Sequence, residues 1–83
     1  MKRGEIVDRV VRYVVGEIVD DGDAVRVEIV ADGEDGVVAE VKTAKPDMGR
    51  VIGRRGRVAR AIRTVAAAAG DEEGLSVDVD FLD

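Results

Sequence analysis

An α+β fold is predicted: three helices covering one face of a three-stranded sheet, in the chain order α-β-β-α-α-β. Three observations predict it. Apolar residues recur at three- and four-residue intervals through residues 5–19. Two alternating segments, residues 24–30 and 37–42, flank an acidic loop with two glycines. A third alternating segment, residues 75–81, follows a long helical stretch. The second face of the strands is largely charged, as a sheet covered on one side requires. At 83 residues the chain is expected to form one domain over residues 1–83, with a thin core, since a chain this short buries only about 60% of its unfolded surface.

The first helix carries Ile6, Val7, Val10, Val11, Val14, Val15, Ile18 and Val19, with Asp8, Arg9, Arg12 and Glu17 between them. Its valines lower helix propensity, so the prediction rests on spacing. Asp20-Asp21-Gly22-Asp23 ends it as a turn. In the first strand Val25, Val27 and Ile29 face one way, Arg26 and Glu28 the other. In the second, Val37, Ala39 and Val41 oppose Val38, Glu40 and Lys42. The loop 31–36 between them makes a hairpin. Pro46-Asp47 opens a short helix through Ile52, and Gly53-Arg54-Arg55-Gly56 breaks it. A longer helix follows from Arg57 to Ala69, with Val58, Ile62, Val65 and Ala69 as its expected apolar stripe and Gly70 as its C′ residue. In the last strand Leu75, Val77, Val79 and Phe81 are expected inward, with Ser76, Asp78 and Asp80 outward.

Composition removes most chemistry. The chain has no Cys and no His, which takes away thiolate zinc sites, cysteine nucleophiles and the commonest general base. Its hydroxyls are Tyr13, Thr43, Thr64 and Ser76. No enzyme activity, cofactor, metal or small-molecule substrate is expected. Asp78 and Asp80 are read as solvated strand charges rather than as an acid–base pair. No apolar run approaches the ~20 residues of a membrane span. Lys2-Arg3-Gly4-Glu5 leads into a charged segment, unlike the apolar core of a secretory signal. A cytoplasmic location without membrane association is therefore expected.

The charge is unevenly placed. Residues 42–63 hold eight basic side chains and one acid, a net of +7; the other 61 residues hold five basic and seventeen acidic side chains, a net of −12. Inside the basic block lies a helix, a G-x-x-G and a second helix. Two glycines three apart allow a tight turn and let another backbone approach closely. Amides at the start of the next helix lack internal partners and meet the positive end of its dipole, so the loop attracts phosphate. Arg54 and Arg55, between the glycines, add bidentate donors.

With Val51-Ile52 before the loop, Arg60 and Ile62-Arg63 after it, a hairpin upstream and a strand downstream, the chain resembles a K-homology (KH) domain. The element order is similar to the type II form, and Asp47 to Arg63 is most similar to small stand-alone bacterial KH proteins of the KhpA type. The resemblance implies that the G-x-x-G loop clamps the sugar–phosphate backbone of single-stranded RNA, about four nucleotides per domain. It implies that Gly53 and Gly56 set the loop and that Arg54 and Arg55 contact phosphate. Val51 and Ile52 line or support the groove, and Ala59 contributes from the next helix. Arg57, Arg60 and Arg63 stand at the nucleic-acid edge, and Val38 or Val41 supplies floor contacts. Ala59 departs from the larger aliphatic residue usual in KH domains, which leaves less apolar area for gripping a base. The resemblance further implies a larger KH partner of the KhpB (Jag) type or a homodimer, and an RNA-chaperone-like control of RNA fate linked to cell shape, elongation and division.

Other nucleic-acid folds fit less well. An RNA-recognition motif needs stacking aromatics on its strands, and the chain's aromatics are Tyr13 and Phe81. An OB-fold needs five strands, and G-x-x-x-x-G-K-[ST] does not occur. The remaining alternative is a protein-interaction adaptor on a KH fold with little or no RNA binding, since fold does not fix function. Its distinguishing sign is acidic replacement inside G-x-x-G, where this chain has Arg54-Arg55.

Overall fold

A computed structural model describes residues 2–83. The order is the predicted one: α1 (Glu5–Ile18), β1 (Arg26–Ala31), β2 (Gly36–Lys42), α2 (Lys45–Ile52), α3 (Arg57–Asp71) and β3 (Ser76–Phe81), with short 3-10 turns at Gly22–Ala24 and Arg54–Gly56. The sheet order is β1-β2-β3. β1 and β2 pair antiparallel, with Val27 opposite Val41; β2 and β3 pair parallel, with Ala39 opposite Val79. A parallel pair needs a long crossover, and the α2–loop–α3 segment is that crossover. It places the G-x-x-G loop at the end of the molecule where β2 stops.

The core lies between the sheet and the helices. Val7, Val11 and Val15 come from α1 at four-residue spacing. They meet Ile62 and Ala66 of α3, Val51 of α2 and the sheet residues Val27, Ala39, Val41 and Val79. Among the described residues no helix is long and apolar enough to cross a membrane.

Three sequence expectations change. Val65 is not in the core: it is 42% exposed. The buried stripe of α3 is Ala59, Ile62, Ala66 and Ala69, one helical face at intervals of three, four and three, which lets the helix lie close to the sheet on small side chains. Val58 is half-buried and packs against that core. Gly70 is not C′ but lies within α3. A Cβ there would stand 2.7 Å from the Leu75 carbonyl oxygen, so the glycine serves close approach. The left-handed turn falls to Gly74, at φ 68°. In β3 only Val79 is fully buried, while Val77 and Phe81 are half-buried, because β3 is an edge strand.

Two acids hold the elements in register. The Glu73 carboxylate accepts the N–H groups of Gly4 (2.9 Å), Ile6 (3.1 Å) and Val7 (3.3 Å). It caps α1 from the far end of the chain, where Gly4 has no side chain to do so. Asp47 is 4% exposed and accepts the N–H groups of Asp20 (3.2 Å) and Asp21 (3.1 Å). It therefore ties the end of α1 to the first turn of α2.

Candidate nucleic-acid interface

The loop between α2 and α3 is a run of unusual backbone. Gly53 has φ 78° and ψ 169°, a region essentially restricted to glycine. A Cβ on it would also lie 2.8 Å from the Val58 backbone nitrogen. Gly53 donates to the Gly49 carbonyl at 2.9 Å, and Gly56 donates to the Gly53 carbonyl at 3.1 Å. Gly56 is left-handed at φ 72°. Between them Arg55 holds φ 58° and ψ 24°, a left-handed conformation that costs a non-glycine residue about 1–2 kcal/mol. Both loop arginines are exposed.

α3 begins at this loop without a side-chain cap and without an acid in its first turn. The positive end of its dipole is left for an outside anion. Among the described residues the ion pairs involve Arg9, Arg12 and Arg50. Arg54, Arg55, Arg57 and Arg60 are exposed and in none of them. Four unneutralised guanidiniums thus stand around the start of α3, a form suited to phosphate oxygens.

The other expected site residues are placed differently. Val51 and Ala59 are buried, Ala59 to 3%; they support the site from beneath rather than present a surface. Ile52 is half-buried beside the loop. Arg63 faces β3, where it donates to the Val79 carbonyl at 3.3 Å and lies 5.3 Å from the centre of the Phe81 ring. That is a cation–π contact, so Arg63 is partly committed to the sheet edge. Val41 is enclosed in the core. Val38 is on the opposite face of the sheet from Val37, Ala39 and Val41. Neither forms a floor. Sequence reasoning missed Phe81 beside Arg63, eighteen residues away, because no local pattern joins them. Among the described residues no cluster of His, Cys, Asp or Glu is arranged for a metal ion.

A parallel β2–β3 pair crossed over by helix, G-x-x-G and helix, with a further helix and strand before it, defines a type II KH domain. The family model described as KhpA/KhpB, KH domain, matches residues 8–81. The chain is 36% identical over 73 residues to the RNA-binding protein KhpA of Borreliella burgdorferi, covering 88% of each chain. It is 46% identical over 65 residues to the RNA-binding protein KhpA of Clostridium acetobutylicum, covering 78% of this chain and 85% of that one. It is 46% identical over 67 residues to the RNA-binding protein KhpA of Leifsonia xyli, covering 81% and 87%. The chain belongs to the KhpA/KhpB KH-domain family, which is not an enzyme family.

Proposed function

We propose that this chain acts as one KH unit that binds single-stranded RNA without catalysis. Gly53-Arg54-Arg55-Gly56 and the start of α3 hold the sugar–phosphate backbone. The observation that carries this reading is the set of four exposed arginines outside any ion pair. They surround a helix start with neither cap nor acid, next to glycines whose conformations open the backbone. Its relatives' names as RNA-binding proteins support the same ligand. Arg54 and Arg55 bind phosphate, and Arg57 and Arg60 extend the positive edge. Arg63 reaches the groove only by leaving Phe81. The role we assign is cytoplasmic control of RNA fate, chaperone-like, with a KhpB-type KH protein or a second copy as partner.

The test is a binding titration with short unstructured RNA on the Arg54→Asp, Arg55→Asp double variant. Circular dichroism on the same sample reports the fold. Binding should be lost while the spectrum is unchanged. Unchanged affinity in the folded variant would remove the phosphate clamp and leave the adaptor reading.

A further inference from the structure

The outward face of α3 is a candidate surface of a different kind. Arg57, Ala61, Thr64, Val65, Ala68 and Glu72 are all exposed. At 100° per residue they fall within an arc of about 100°, opposite the buried stripe. The middle is apolar and low, with Val65 as one of the large apolar side chains left open at 42%. The two ends carry opposite charge: Arg57 and Arg60 at the start, Asp71 and Glu72 at the finish. Neither acid is in an ion pair among the described residues.

We propose that this face pairs with a second copy of the chain, α3 against α3, antiparallel about a two-fold axis between Thr64 and Val65. The register follows from the charges. Arg57 then meets the partner's Glu72, Ala61 the partner's Ala68, and Thr64 the partner's Val65. Each contact occurs twice, as an isologous interface demands. A parallel arrangement would put arginine on arginine and acid on acid. Small residues along the line let the helix axes approach to the short end of the usual 8–10 Å. The pairing carries the two G-x-x-G loops to opposite ends of the helix pair, about 22 Å apart along a fifteen-residue α3. Arg54 and Arg55 stay outside the contact. A dimer can therefore hold one RNA at two weak sites and gain avidity. This deepens the second-copy partner proposed above, and its test reads association without RNA, so its failure leaves RNA binding standing.

The chain has no cysteine, so single introduced cysteines report geometry cleanly. Ala61→Cys and Ala68→Cys proteins, each checked by circular dichroism, are oxidised separately and as a mixture. The mixture should form the mixed disulfide. Either variant alone should crosslink no faster than Asp78→Cys on the open sheet face. Positions 61 in the two copies lie seven residues apart along the axis, about 10 Å, beyond disulfide reach. Adding Glu72→Arg should slow the mixed crosslink about tenfold, as two symmetric attractions become repulsions. Arg57→Glu on top should restore it. Faster crosslinking of each variant alone would overturn the antiparallel register. No preference over Asp78→Cys in any combination would overturn the surface itself.

Discussion

Arg55 is the residue at which conformation and ligand compete. Its left-handed backbone, φ 58°, is one that glycine adopts freely. Arg55→Gly should stabilise the fold by up to ~1 kcal/mol, because relief of strain outweighs the extra freedom of the unfolded glycine. The same variant should bind RNA more weakly. A thermal melt and an RNA titration on one sample check both, and weaker binding together with a higher Tm identifies a residue kept for its side chain. Glu73 shows the opposite case, an acid kept for the fold. It accepts three backbone N–H groups at the start of α1. Glu73→Ala should cost about 1–2 kcal/mol, which a denaturant midpoint will show, with RNA affinity little changed.

At the scale of elements, α3 has two faces with separate duties. Ile62 is 2% exposed and central to the core, and Ile62→Ala should cost ~2–5 kcal/mol. In a domain this small that is a large part of the total stability. Val65→Ala, on the outward face, should move stability by less than about 1 kcal/mol. Urea unfolding of the pair measures the contrast, and equal losses would mean the helix is rotated. The edge strands are guarded alike: Arg12 donates to the Val27 carbonyl of β1 at 2.7 Å and Arg63 to the Val79 carbonyl of β3. Each takes up an outward carbonyl that an edge strand would otherwise offer to another chain.

The whole molecule, 34 × 25 × 19 Å, is electrically polar. The Ser76 amide donates to the Asp35 carbonyl at 2.8 Å, Arg3 donates to the Glu34 carbonyl, and Glu73 caps α1. The acidic loops 32–35 and 71–74 therefore gather at one end. Lys42, Lys45, Arg54, Arg55 and Arg57 lie where β2 ends and α3 begins. A local positive field thus survives a net charge of −5. With three or four phosphates neutralised, the log–log salt slope for single-stranded RNA should be roughly −2 to −3. The chain has no Asn or Gln and few aromatics, so poly-pyrimidine and poly-purine should bind alike. Titrations at several salt concentrations test both points. Tight, salt-insensitive binding to one sequence would contradict them.

The sequence by itself determined the order and kind of the elements, because the periods of 3.6 and 2 are local properties of the chain. It also determined the loop, because Gly53, Gly56 and the arginines between them are contiguous. Tertiary structure alone decided that β2 is central and parallel to β3. It decided that Val65 and Ala66 exchange the places expected of an outward and an inward residue. A run of alanines leaves the helix face undefined by hydrophobicity, and packing against the sheet selects it. Close approach to Leu75, a contact no local rule contains, turned Gly70 from an expected cap into a spacer. The partners of Glu73, Asp47 and Arg63 were likewise invisible, since each hydrogen bond joins segments that meet only once the crossover has closed.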